Sequence, residues 1–306
     1  MQIERVLITG AGGFLGSHIS RYLKTQNHKV YVTGRFSKTE PTWFKSMDGY
    51  YTVSLPDNTL NQILREVKPT ILVHCAGSSS IASSLADPYN DYLNTVGLTA
   101  SVLEAIRQDA PECKLIFPSS AAVYGNPSVI PISETVNCSP ISPYGTHKMV
   151  SEKLIEEYFQ RYGVSHTILR VFSAYGIGLR KQVIYDMCKK FTDPTTEYVE
   201  VYGTGTESRD FIHIFDICRA MDYVMKPNAQ GIYNLGSGRQ TTVSELVELI
   251  KKNYNNSKSI RFTGEVRLGD PINWEANIDK ISKLGFRSTI PLEQGLKEYC
   301  EWYGKK

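Results

Sequence analysis

Near the start of the chain stands Ile3-Glu4-Arg5-Val6-Leu7-Ile8-Thr9-Gly10-Ala11-Gly12-Gly13-Phe14-Leu15-Gly16. A run of strand length passes directly into glycines at 10, 13 and 16, and then into an amphipathic segment of helical period. Missing side chains allow a tight turn and let backbone approach a pyrophosphate, while the following helix offers N–H groups and its positive dipole end to that charge. Glycine spacing alone is weak evidence. Its place after a strand and before a helix makes it a dinucleotide cradle, with Gly10, Gly12, Gly13, Phe14, Leu15 and Gly16 as the candidate residues.

The same rhythm continues outward. Strands are expected at Ile3–Thr9, Lys29–Thr33, Thr70–His74, Lys114–Pro118 and His166–Arg170, and helices at Phe14–Gln26, Thr59–Val67, Tyr89–Arg107 and Pro143–Tyr162. Alternation of short apolar strands with helices specifies an α/β fold, a Rossmann-type doubly wound parallel sheet covered on both faces. After about Tyr175 the strands shorten (198–202, 231–234, 259–262) and helices are expected at 215–225 and 243–253. The chain therefore reads as a dinucleotide-binding domain over 1–175, with segment 209–226 returning to it, and a smaller, discontinuous α/β substrate domain over 176–306. Thr242-Val243-Ser244-Glu245 has capping-box spacing, and Pro291 stands at a plausible first helical position.

Composition narrows the function classes. The 306 residues carry 34 Lys and Arg against 31 Asp and Glu, a net +3 spread along the chain, so no nucleic-acid or membrane field is implied. The apolar runs fall far short of the ~20 residues needed to span a bilayer, and no signal peptide opens the chain, which points to a cytoplasmic protein. Six widely separated cysteines form no CxxC pair or zinc-spaced cluster. They read as reduced thiols, and no metal is expected.

At the end of the second strand an acidic residue ordinarily binds the ribose hydroxyls of the dinucleotide. Here the chain reads Val32-Thr33-Gly34-Arg35-Phe36-Ser37-Lys38. With no carboxylate and with Arg35 available to a 2′-phosphate, this point favours NADP(H) over NAD(H).

Tyr144-Gly145-Thr146-His147-Lys148 opens a predicted helix, with Ser142 as N-cap and Pro143 in the first turn. Spacing i, i+4 puts Tyr144 and Lys148 on one face, where an ammonium lowers the phenol's pKa from its usual ~10 and makes it a usable acid/base. Ser119-Ser120 end the fourth strand at the carboxyl edge, where open α/β sheets place ligands.

Taken together, these motifs resemble the extended short-chain dehydrogenase/reductases that act on nucleotide sugars, the NAD(P)-dependent epimerase/dehydratase/reductase family. The resemblance runs through Gly10–Gly16, His74-Cys75-Ala76-Gly77, Asn94, Ser119-Ser120-Ala121-Ala122-Val123-Tyr124-Gly125, Tyr144–Lys148, Arg209-Asp210-Phe211-Ile212-His213, Asn234-Leu235-Gly236-Ser237-Gly238 and Arg267-Leu268-Gly269-Asp270. It implies that Tyr144 is the acid/base, that Lys148 tunes it and holds the nicotinamide ribose, that Ser120 binds the reacting oxygen, and that Asn94 supports the site. It also implies cofactor contacts from Leu55, Ala76 and Gly77, and substrate contacts from Ser80, Ser119, Ser173, Arg209 and Arg267. His74 and His213 read as structural, and Tyr124 and Asp210 as packing and hydrogen-bonding residues.

Departures from the family's patterns restrict the reaction. Ala121-Ala122 stand where sugar dehydratases carry an Asp-Glu pair, and neither the Cys nor the His of the enzymes that epimerise at two carbons is present. Hydride chemistry at C4 of a nucleotide-diphosphate hexose remains. Arg35 leans this toward an NADP(H)-dependent 4-ketoreductase; the alternative is an NAD-dependent 4-epimerase with a tightly held cofactor, and a remote third is a non-catalytic dinucleotide sensor. Ser54 and Ser173 replace residues that commonly contact ligand. A homodimer through the Tyr-Lys helix is expected, with Met149, Leu154, Ile155, Tyr158 and Phe159 either on that face or against the sheet.

Overall fold

The computed structural model describes residues 2–35, 42–265 and 269–305. β1 (Arg5–Thr9) leads through α1 (Phe14–Thr25) to β2 (Lys29–Gly34) and β3 (Gly49–Thr52), and α2 (Thr59–Val67) returns the chain to β4 (Ile71–His74). The next crossover holds α3 (Ile81–Ala86), α4 (Pro88–Tyr92) and α5 (Leu98–Asp109) before β5 (Lys114–Ser120); α6 (Pro143–Tyr162) precedes β6 (His166–Val171). Beyond it come β7 (Ser173–Tyr175), α7 (Gln182–Thr192), β8 (Tyr198–Val201), β9 (Ser208–His213), α8 (Ile214–Val224) and β10 (Gly231–Leu235). The chain closes with β11 (Gln240–Thr242), α9 (Val243–Asn253), β12 (Ser259–Phe262), α10 (Asp279–Ser282) and α11 (Leu292–Gly304).

The main sheet has seven strands in the order β10-β6-β5-β4-β1-β2-β3, and every neighbouring pair is parallel. Strand alternation decides which core each residue enters. Val6 and Ile8 join the core that includes Ile19 and Leu23 of α1 and Ile217 and Met221 of α8, whereas Leu7 joins α2, α5 and Ile155 of α6 on the other face. This is the doubly wound Rossmann-type architecture. Its strand order reverses between β1 and β4, the switch point where such sheets open a crevice for ligands.

The helix expected over Tyr89–Arg107 is interrupted. A π turn over Leu93–Gly97 separates α4 from α5, adding backbone within the helical run and carrying Asn94. Such turns recur at functional sites. β3, an edge strand with an alternating half-buried pattern, and the short α3 were not expected from the sequence.

The segment that returns is displaced from 209–226, running from α8 through β10. β9 stays outside the main sheet, in a three-stranded sheet β11-β9-β7, while α8 packs on α1 and β10 completes the main sheet beside β6. Around the smaller sheets α7, α9 and α11 enclose Met187, Phe191, Leu246, Ile250, Leu296 and Tyr299. The capping box at Thr242 and Glu245 is formed, and Pro291 is the N-cap of α11 rather than its first residue. All six cysteines are free thiols. Among the described residues no helix is long and apolar enough to cross a membrane.

Candidate active site

The carboxyl ends of β1, β4 and β5, adjacent in the sheet, deliver the loops that form the site. Gly10 adopts φ +66°, and a Cβ there would sit 2.5 Å from the Ala76 backbone nitrogen, so loop and β4 edge meet only because the side chain is missing. At Gly16 a Cβ would lie 2.5 Å from the Gly10 carbonyl oxygen, which locks the start of α1 under the turn. Gly12, by contrast, opens on free space: nothing lies within 4 Å of its Cβ position. Gly13 caps α1 without a side-chain hydrogen bond, and no acidic residue occupies the first turn. Phe14 and Leu15 follow, half-buried. An exposed, acid-free helix start beside an open glycine is what a dinucleotide pyrophosphate requires, and the cradle fits it. Beyond Ala76, Gly77 faces the Asn94 carbonyl oxygen, 3.0 Å from its Cβ position, so the loop after β4 abuts the π turn.

Ser142 accepts a hydrogen bond from Gly145 N at 3.2 Å and Pro143 occupies the first turn, fixing where α6 begins. Tyr144 therefore sits in that turn, its backbone nitrogen donating to Ser84 Oγ of α3 at 3.1 Å. Burial pushes its phenol up to about 12; the Ser120 hydroxyl, within hydrogen-bond reach, opposes that rise, and Asp91 adds to it. One turn on, Lys148 is 6% exposed and donates from Nζ to the Pro118 carbonyl oxygen at 3.0 Å. Burial drives its ammonium down to about 8. Ser120 also accepts from Ala122 N at 3.1 Å, which holds its hydroxyl at the carboxyl edge of β5.

Ser120, Tyr144 and Lys148 thus converge from two elements onto one edge, beside the glycine loop. A phenol, a hydroxyl and a buried ammonium arranged in this way can take a proton from, or return it to, an alcohol oxygen held between them.

A family model described as the NAD dependent epimerase/dehydratase family matches residues 6–236. The chain belongs to that family. Similar proteins extend over its full length. A UDP-glucose 4-epimerase of Rhizobium leguminosarum bv. trifolii is 28% identical over 331 residues, covering 99% of this chain and 98% of the relative. The structure of UDP-glucose 4-epimerase from Thermotoga maritima with UDP-glucose matches at a TM-score of 0.89 and 28% identity over 98% of both chains. That of UDP-glucose 4-epimerase from Thermus thermophilus with NAD matches at 0.87 and 26%, again over 98% of both.

In this epimerase/dehydratase-family enzyme the remaining expected residues are unevenly placed. Leu55 packs against the core formed by α2 and α5. Ser80 is the N-cap of α3, accepting from Ser83 N at 3.2 Å, and Ser173 opens β7, half-buried, just past the end of β6. Arg209 donates to the Ser208 and Ile272 carbonyl oxygens at 2.9 and 3.2 Å, and its guanidinium lies 5.8 Å from the centre of the Trp274 ring. Arg35 is exposed just beyond β2. Arg267 lies outside the described residues.

Ser119 is the residue the geometry draws away from substrate. It is 4% exposed and donates to Glu152 Oε1 at 2.5 Å, the same carboxylate that pairs with Arg170 at 2.7 Å. Arg170 donates to the Tyr124 hydroxyl at 3.0 Å, which in turn donates to Asn234 Oδ1 at 2.7 Å. Ser119 is thus one end of a buried network beneath the site. Asp210 accepts from the backbone of Ser237, Gly238 and Ala276, in keeping with a structural reading. His74 shares a 2.7 Å hydrogen bond with Thr9 and is pushed down to about 3 by burial and by the Lys148 charge, so it is a neutral packing residue.

Sequence reasoning passed over Ser84, Asp91, Glu152 and His147 as individuals. Glu152 carried a readable signal, since it extends the i, i+4 series Tyr144, Lys148 by one more turn.

Proposed function

We propose that this enzyme is an NAD-dependent 4-epimerase of a UDP-hexose. Tyr144, within reach of the Ser120 hydroxyl and one turn of α6 from the buried Lys148 at the carboxyl edge of the sheet, is the observation that carries the reading. The full-length similarity to UDP-glucose 4-epimerases supports it. A bound NAD would accept a hydride from C4 of the sugar and give it back to either face.

The chain supplies the rest. Gly10 to Gly16 and the start of α1 would hold the pyrophosphate, and Gly77, Asn94 and Lys148 would serve the nicotinamide half. Tyr144 removes the proton from the C4 hydroxyl as the hydride leaves and returns it when the hydride comes back. Ser120 hydrogen-bonds the same oxygen and keeps it aligned with the phenol. Tyr144 is the phenolate at the start and end of the cycle and the phenol while the 4-keto sugar exists; burial raises that phenol to about 12, and a positive charge one turn along α6, at Lys148, would act the other way and favour the phenolate. Ala121 and Ala122 are buried and bring no acid or base to the site, which supports a reaction without loss of water.

The preference for an NADP(H)-dependent 4-ketoreductase gives way to this alternative. Its ground was Arg35, and an exposed loop arginine is a weak basis for a phosphate pocket. A homodimer through α6 belongs to the same proposal. Ile155 is fully buried toward the sheet and Leu154 and Tyr158 pack beside it, but Phe159 and Tyr162 remain 42% and 53% exposed and offer such a face.

The test is to incubate the purified protein with UDP-glucose, without added reductant, and follow the sugar H4 signal by NMR while denatured protein is assayed for released dinucleotide by mass spectrometry. Formation of the C4 epimer with near-stoichiometric NAD is expected. An empty protein that instead consumes NADPH with a 4-keto sugar would overturn the reading.

A further inference from the structure

His147 stands between Tyr144 and Lys148 in the sequence, but its side chain meets α4. Its Nδ1 is 2.6 Å from Asp91 Oδ2, and the Tyr92 ring stands edge-on to it at 5.7 Å between centroids. A carboxylate only accepts, so the hydrogen lies on Nδ1. Asp91 is 3% exposed, and its Oδ1 makes no hydrogen bond among the described residues. A buried carboxylate with one oxygen unanswered is costly to keep, and groups of this kind concentrate where their charge is used.

The position of the pair shows what that charge acts on. Asp91 lies on the last turn before the π turn that carries Asn94, and His147 lies on the first turns of the helix that carries Tyr144 and Lys148. The Ser84 bond to Tyr144 N is a separate latch, from α3 onto the first turn of α6. Asp91 favours the protonated form of both the Tyr144 phenol and the Lys148 ammonium.

The other charged neighbours are few. Glu152 on α6 and Cys75 after β4 also act on Lys148, and Lys148 acts on His74. Neither α3 nor the π turn contains an ionisable side chain, Asp87 caps α4, and Glu104, Arg107 and Asp109 stand at the far end of α5. Beyond β5, Tyr124 is held by Asn234 and Arg170, and Lys114 at the opposite end of that strand is held by the carbonyl groups of Val224, which ends α8, and Lys226 just past it.

We propose that Asp91 and His147 are a positioning pair for the reaction, clamping the catalytic helix to the segment that carries Asn94 and placing a buried negative charge beside Tyr144 and Lys148. The inference rests on the reading of those two residues as the acid/base unit.

Asp91→Asn keeps an acceptor for the His147 N–H and removes the charge. Lysine labelled with 13C at Cε reports the titration of Lys148 in protein free of added cofactor, its signal identified by its loss in Lys148→Met. In Asp91→Asn the Lys148 midpoint moves to lower pH by about 0.5 to 1 unit, the direction expected when a neighbouring opposite charge is deleted. Both limbs of the kcat profile against pH move the same way. An unchanged midpoint in folded protein overturns the proposal. Because Asp91→Asn could fail to fold, the double variant Asp91→Leu/His147→Met, which replaces the pair by apolar side chains as buried ion pairs often tolerate, is read in the same way. Full turnover in Tyr144→Phe would bring down the acid/base reading, whereas the Lys148 midpoint still reports on Asp91.

Discussion

Lys148 donates from Nζ to the Pro118 carbonyl oxygen at 3.0 Å while the same ammonium lies 4.5 Å from the centre of the Phe117 ring. One acceptor and one aromatic face replace a full hydration shell, so the folded protein holds this cation at a cost that function requires and stability does not.

Lys148→Met is expected to abolish turnover and to raise the stability of the protein free of cofactor by about 1–2 kcal/mol. The sign follows from linkage. The ammonium titrates at about 8 in the fold against 10.5 in the unfolded chain, so its penalty is complete below pH 8 and is relieved as pH rises toward 10.5. Thermal melts of parent and variant should therefore differ most below pH 8 and converge above it. A gap that widens with pH contradicts this assignment.

Tyr144→Phe removes the proton-carrying oxygen and leaves the ring in the first turn of α6. Turnover should fall by about 10²- to 10⁴-fold, the usual worth of a positioned acid/base. Dinucleotide binding, measured by calorimetry, should remain within a few-fold of the parent. Retained turnover would mean that another group carries the proton.

Gly10→Ala tests the cradle. The new methyl would lie 2.5 Å from the Ala76 backbone nitrogen, in a residue at φ +66°. Two backbone segments cannot yield as a flexible side chain can, so the loop must open, with a loss of more than about 1–2 kcal/mol in stability. Dinucleotide affinity should fall with it. Gly12→Ala, whose Cβ meets nothing within 4 Å in the protein, should fold normally and weaken only the dinucleotide.

Asp216 is fully buried at the start of α8 and accepts from Thr289 N, Ile290 N and the hydroxyls of Ser288 and Thr289, while pairing with Arg219 at 2.9 Å. It ties the chain entering α11 to the helix that packs on α1. Asp216→Ala leaves those donors unanswered and should cost about 3–5 kcal/mol, measured by urea unfolding. Turnover per folded molecule should change far less than stability.

How much of this was readable beforehand depended on the range of the interaction. The first glycine loop, the boundaries of Thr59–Val67, Pro143–Tyr162 and Val243–Asn253, and the Tyr144–Lys148 pair all follow from contacts within a few residues, and apolar periodicity and capping groups encode them locally. The π turn within Tyr89–Arg107 was not legible, because the backbone stays right-handed helical on both sides of Leu93–Gly97 and no side-chain cap marks its start. The recruitment of β10 into the main sheet was equally hidden, since Gly231–Leu235 reads as a short strand whichever sheet it joins.

By itself the sequence determined the α/β class and singled out Gly10–Gly16 and the trio Ser120, Tyr144 and Lys148 as the candidate cradle and acid/base site. Only the tertiary structure decided that Ser119 belongs to Glu152 and that His147 belongs to Asp91, separated by 33 and 56 residues. Adjacent residues such as Ser119 and Ser120, or His147 and Lys148, are equivalent in composition and nearly so in spacing. Which of them faces the site is set by the elements packed against them from elsewhere in the chain, and buried polar groups cannot be left without partners.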